Sequence, residues 1–120
     1  MPTASDIKGT RASAGVRWVV PAKVLVFDTA TGKEITSADI VGDADDLFYD
    51  AATKRLLVSG GEGYLDVLQD QGDNHFTRVA RTPTASGART SLYVADRRRL
   101  YLAVPHRGAQ QTEIRVYDVR

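Results

Sequence analysis

The stretch Asp46-Leu-Phe-Tyr-Asp-Ala-Ala-Thr-Lys-Arg-Leu-Leu-Val-Ser59 consists of two apolar runs separated by a polar turn. A similar stretch, Ser91-Leu-Tyr-Val-Ala-Asp-Arg-Arg-Arg-Leu-Tyr-Leu-Ala103, follows about 45 positions later. Each is followed by another short alternating run, at residues 64–68 and 113–117, and a third run of this kind occupies residues 23–27. The pattern indicates a repeated set of short β-strands.

A spacing of roughly 40–50 residues that carries four short strands is typical of a β-propeller blade. No window of the sequence shows the period of an amphipathic helix. The connections within the central unit are so short that they permit only antiparallel neighbours. The sequence therefore predicts an all-β chain, a partial β-propeller of four-stranded antiparallel blades, with about two to two and a half blades per chain.

The repeat divides the chain into four segments. Residues 1–15 are rich in Ser, Thr, Ala and Gly and are predicted to form a flexible N-terminal lead-in. Residues 16–42 are predicted to form a partial first blade, and residues 43–86 a complete central blade. Residues 87–120 are predicted to form a last blade that lacks its outer strand.

Several landmarks occur in a recognisable order. Val24-Leu-Val-Phe-Asp-Thr-Ala-Thr-Gly-Lys33, then Ile40-Val-Gly42 and Arg55-Leu-Leu-Val58 resemble the YVTN-repeat β-propellers. Repeats of that family run as V-x-V-x-D-x-x-T-G-K, I-x-V-G and a leucine-tyrosine-valine-like strand. The resemblance covers residues 21–120 and looks most like the C-terminal third of a seven-bladed propeller. It implies either a truncated, excised or engineered piece, or a short relative that completes itself by assembly.

Composition excludes several kinds of site. The 16 Lys and Arg residues nearly balance the 15 Asp and Glu residues, so the net charge does not favour nucleic acid or membrane as a partner. The chain has no cysteine, which excludes disulfides, thiolate metal sites and a cysteine nucleophile. The first 22 residues lack the apolar core of a signal peptide. We therefore expect a cytoplasmic location for the chain as written, although members of the resembled family are usually exported or periplasmic.

The incomplete blades predict self-association. A blade is normally covered on both faces, so an open stack would expose apolar surface at each end. Residues 34–41 form a spare outer strand in this interpretation, and the last blade lacks one. We expect the spare strand of one copy to complete the last blade of the next, closing a ring of three or four copies. The alternative is an open, poorly soluble fragment.

Loop residues at the mouth of a propeller channel are the candidate binding site. Asp43, Asp45 and Asp46 precede an innermost strand, and Arg89 with Thr90 lies in the next such loop. A small molecule or a protein could bind there. The acidic loop lacks the spacing of a calcium-binding hand, so Asp side chains that cap their own turn are the preferred interpretation. We predict no metal and no cofactor.

The leading functional hypothesis is a non-enzymatic binding or scaffold module, with no catalytic residue predicted. One alternative, implied by the resemblance, is a lactonase-like hydrolase that uses Asp46 and Arg89. Another is nucleic-acid binding through the basic hairpin Arg97-Arg98-Arg99. The absence of interleaved aromatic residues argues against nucleic acid, and a solvated turn is the preferred interpretation of the hairpin. The two histidines, His75 and His106, have no partner at metal-ligand spacing and are expected to be solvated.

Overall fold

A computed structural model describes residues 4–7, 14–19, 22–28, 30–72 and 75–119, with the first two ranges described by their backbone alone. Nearly all regular structure in these ranges is β-strand, apart from one turn of 3₁₀-helix at Ala95–Arg97. The strands are β1 Ala4–Ile7, β2 Ala14–Val19, β3 Lys23–Asp28, β4 Glu34–Asp39, β5 Ala44–Asp50, β6 Arg55–Gly60, β7 Tyr64–Asp70, β8 Phe76–Pro83, β9 Ser91–Val94, β10 Arg99–Val104 and β11 Glu113–Asp118. In this part of the chain, no helix is long and apolar enough to cross a membrane.

The strands form three antiparallel sheets in which chain neighbours are also sheet neighbours. Sheet 1 has the order β1-β2-β3-β4, sheet 2 the order β5-β6-β7-β8, and sheet 3 the order β9-β10-β11. The prediction of an all-β chain built from antiparallel strands is confirmed. Sheet 2 has the four strands predicted for the central unit.

Sheet 1 differs from the sequence-based interpretation. Residues 1–15 were expected to be a flexible lead-in, yet β1 pairs with β2 from Ala4↔Arg17 to Ile7↔Ala14. Strand β4, expected to be spare, is the outer strand of this four-stranded sheet. The lead-in has no apolar periodicity, so its sequence did not indicate a strand. Sheet 1 is therefore a four-stranded sheet, where only a partial first unit was expected.

Sheet 2 is covered on both faces, which explains the continuous apolar run of β6. Leu56 and Val58 point into a core shared with sheet 1, where Val24 and Val26 are also fully buried. Leu57 points the other way, into the core shared with sheet 3. A strand buried on both faces has no solvated positions, so its sequence does not alternate between apolar and polar residues.

Sheets 2 and 3 repeat the same hairpin geometry. Lys54 and Arg98 are the last turn residues of the first hairpin in their sheets, directly before β6 and β10. Both adopt the left-handed conformation, with φ of 57° and 51°. The carbonyl of Lys54 accepts the N–H of Asp70, and that of Arg98 accepts the N–H of Val119, each at 2.8 Å. Positions in sheet 2 therefore have direct counterparts in sheet 3, counted from Lys54 and from Arg98.

Candidate functional site

The loops that lead into β5 and β9 meet in an ion pair. Arg89 donates from Nε and from a terminal nitrogen to Oδ2 of Asp43, at 2.8 and 2.5 Å. The hydrogen bonds that Arg89 donates to Asp43 raise the pKa of Arg89. Asp43 has a φ of 57°, and its carbonyl accepts the N–H of Gly61 at 2.9 Å. The loop conformation thus presents the carboxylate to the neighbouring sheet.

A buried hydroxyl lies directly beneath this ion pair. Ser59 donates from Oγ to the carbonyl of Arg89 at 2.6 Å, and its Oγ lies 2.7 Å from Oγ of Ser91. Asp46 accepts the backbone N–H of Ser91 at 2.8 Å. These bonds satisfy polar groups at the point where sheets 2 and 3 meet.

All five residues predicted at the channel mouth are brought to this junction. The remaining two, Asp45 and Thr90, approach one another at 3.5 Å, the outer limit of a hydrogen bond. Asp46 and Arg89, the residues named for lactone hydrolysis, are both engaged by partners within the chain. The partners of each pair lie 45 or 46 positions apart, which is the repeat spacing. That spacing could have suggested the three pairs. Sequence reasoning did not place Ser59 at this junction, because Ser59 and Ser91 are 32 positions apart.

A second ion pair joins the same two sheets at the far end of β5. Arg98 donates to both carboxylate oxygens of Asp50, at 2.8 and 3.2 Å, and from Nε to the carbonyl of Val119 at 3.1 Å. Asp50 is only 3% exposed. Burial alone would raise the pKa of Asp50, but hydrogen bonds from Arg98 and Thr53 hold it below its usual value. Sequence reasoning missed Asp50, because its partner lies in another sheet.

The basic hairpin is largely neutralised. Besides the pairing of Arg98, Nε of Arg99 lies 3.5 Å from a carboxylate oxygen of Asp118. Arg97 is exposed and has no ion-pair partner among the described residues. An open cleft of about 320 Å³ lies here, lined by Arg97, Arg98, Arg99, Asp118 and Val119. Two of the three arginines proposed for phosphate contacts are thus already paired with carboxylates.

The outer face of sheet 3 is apolar and exposed. Leu92, Tyr101 and Val116 lie side by side across its three strands, and Ile114 lies beside Ala103 on the same face. Leu92, Ile114 and Val116 are 58, 63 and 53% exposed. This set of four side chains, Leu92, Tyr101, Ile114 and Val116, is called the outer patch below.

The outer patch repeats a surface that is covered within the chain. In sheet 2 the corresponding register row is Phe48, Leu57 and Val67, with Leu65 beside Ser59. All four of these apolar side chains pack in the core shared by sheets 2 and 3. Sheet 3 therefore presents to solvent the same arrangement that sheet 2 uses to hold its neighbour.

Comparison with models of protein families and with curated proteins found no match to this chain. Among the described residues, no group of three His, Asp or Glu side chains is placed to hold a metal ion. His75 and His106 are both exposed.

Proposed function

We propose that the chain is a binding or scaffold module built of β-propeller blades, and that it assembles with a second copy of itself through the outer patch. The observation that carries the proposal is the position-by-position correspondence between the outer patch and the covered face of sheet 2. Within the chain, that covered face binds the next sheet. A sheet supplied by another copy is the partner that fits the same arrangement on sheet 3.

The second copy offers a matching surface on its sheet 1. Val24 and Val26 face sheet 2, so Leu25 and Phe27, which alternate with them along β3, face away from the stack. Both are partly buried. Docking this face onto the outer patch continues the stack head to tail, and the same contact made twice closes a ring of two copies.

The number of sheets favours two copies over the trimer or tetramer expected from the sequence. Propellers contain roughly four to eight blades. With three sheets in each chain, two copies supply six. Three copies would supply nine sheets, which is more than the roughly eight blades of the largest common propellers. In a closed ring, the loops carrying Asp43, Asp45 and Thr90 lie together at one end of the stack, where they could bind a small molecule or a protein.

Light scattering after size-exclusion chromatography tests the proposal. We expect a mass about twice the 13.1 kDa of one chain, retained on dilution well below the loading concentration. A monodisperse species with the mass of a single chain at all concentrations contradicts the proposal.

A further inference from the structure

Among the described strands, none pairs with the outer edge of β11. Sheets 1 and 2 each have four strands, whereas the described part of sheet 3 has three, and β11 is its outermost strand. An edge strand presents a row of unpaired backbone N–H and C=O groups, which can pair with another extended chain. The side chains of β11 determine which sequence of extended chain can pair with this edge.

Sheet 2 shows how an outer strand is held at the equivalent position. Asp66 of β7 is completely buried and accepts two hydrogen bonds from Arg81 of β8, at 2.7 and 2.9 Å. Asp66 also accepts the N–H of Val41, in the linker that enters sheet 2, at 2.7 Å. Arg81 in turn lies over the ring of Tyr64, 5.0 Å from its centre. An ion pair between the third and fourth strands thus fixes the outer strand.

Sheet 3 carries the opposite charge at that position. Asp66 pairs with Val58, the fourth residue of β6, and Arg115 pairs with Leu102, the fourth residue of β10. Arg115 donates to the carbonyl of Thr84, in the linker that enters sheet 3, at 3.1 Å. Arg115 therefore repeats the linker contact of Asp66 with the donor and acceptor exchanged.

Within the described residues, the only carboxylate that Arg115 meets is on its own strand. Nε of Arg115 donates to Glu113 at 2.9 Å, and Glu113 is about half exposed. In sheet 2 the ion pair crosses between strands, so the pair within β11 takes the place of a charge that a fourth strand would supply. The side chains on either side of Arg115, Ile114 and Val116, belong to the outer patch.

We propose that the edge of β11 binds an extended peptide segment as a fourth strand, with an acidic residue opposite Arg115 and apolar residues on both sides of it. The acidic side chain pairs with the guanidinium of Arg115, and its apolar neighbours extend the outer patch beside Ile114 and Val116. Strand β8 of the adjacent sheet already extends one strand farther out than β11. A fourth strand on sheet 3 would lie level with β8 in the stack of sheets.

Fluorescence anisotropy with two synthetic peptides tests this proposal on the full chain. Both labelled peptides have the sequence of residues 75–84, which include β8, with Thr82→Val so that residue 81 has apolar neighbours; one keeps Arg81 and the other carries Arg81→Glu. We expect the R81E peptide to bind about tenfold more tightly, because its glutamate meets Arg115 where the native arginine is repelled. The R81E peptide cannot replace β8 in sheet 2, since its glutamate would face Asp66.

Variants of the protein assign the site. Arg115→Glu should reverse the preference between the two peptides, and Arg115→Gln should abolish it even if the charge-reversed variant folds poorly. Arg99→Gln, on the neighbouring strand, should leave the preference unchanged. Hydrogen exchange should slow in β11 on binding and stay unchanged in β8. Absence of binding, equal affinity of the peptides, or protection outside β11 would overturn the proposal, and none of these results depends on whether the chain forms dimers.

Discussion

Arg98 forms a bidentate ion pair with Asp50 across two sheets, at 2.8 and 3.2 Å, although Asp50 is almost completely buried. Asp50 is the last residue of β5, and Asp43, which pairs with Arg89, immediately precedes the first. Both ends of β5 are therefore paired with arginines in the connections on either side of β9. Apolar packing is non-directional, so these two ion pairs fix where along β5 the next sheet lies.

Removing Arg98 should destabilise the chain strongly. Arg98→Ala leaves the carboxylate of Asp50 buried without its cation. An uncompensated buried charge lowers the free energy of unfolding more than replacing both partners of the pair does. We expect a clear fall in the urea midpoint of unfolding. Arg98→Ala combined with Asp50→Asn should recover part of the loss, because the buried charge is then gone. Arg99→Ala is the matched control, since its pair with Asp118 is exposed on both sides. Equal midpoints for R98A and R99A would show that the buried carboxylate does not need its partner.

Ser59→Ala should weaken the junction between sheets 2 and 3. Ser59 is buried, and without its hydroxyl the carbonyl of Arg89 loses its donor at 2.6 Å. We expect a loss of about 1–2 kcal/mol in the free energy of unfolding, measured by urea denaturation. Ser37→Ala, at an exposed position of β4, should change it by less than about 0.5 kcal/mol. Matching losses for the two variants would refute a structural role for the buried hydroxyl.

Stability should fall at high pH because of Tyr49. Burial, followed by the charge of Asp70, raises the pKa of Tyr49 to about 12 from 10.0. The folded state therefore holds this proton more tightly than the unfolded state does. The resulting stability is fully present below pH 10 and is lost as the pH rises toward 12. Urea unfolding at several pH values should show this loss, and Tyr49→Phe should reduce it. An undiminished loss of stability in the Tyr49→Phe variant would contradict this assignment.

A charge in the outer patch should prevent self-association. Val116→Lys places an ammonium group where the proposed interface excludes water, so we expect light scattering to report the mass of one chain. Val79→Lys is the matched control, because Val79 is 50% exposed on β8 but lies outside the outer patch. Retention of the dimer mass by V116K, or loss of it in V79K, would place the interface elsewhere.

The sequence predicted local features well and contacts between sheets poorly. The two hairpins and the strands of sheet 2 follow from apolar runs and turn residues that are close in sequence. Strand β1 was missed because its short polar segment carries no periodic signal. Asp66 looks like a solvated position between Leu65 and Val67, yet it is fully buried. Its burial depends on Arg81 and on the backbone of Val41, and neither contact can be read from the alternation within a single strand.

The opposite charges of Asp66 and Arg115 also bear on how reliably the chain folds. Sheets built from one repeated plan risk exchanging their outer strands while they form. Paired with β11 in the register it adopts on β7, β8 would place Arg81 against Arg115, and the two cations would repel one another. Against β7, the same arginine meets Asp66. The opposite charges of Asp66 and Arg115 thus direct β8 to its own sheet and disfavour its pairing with the edge of β11.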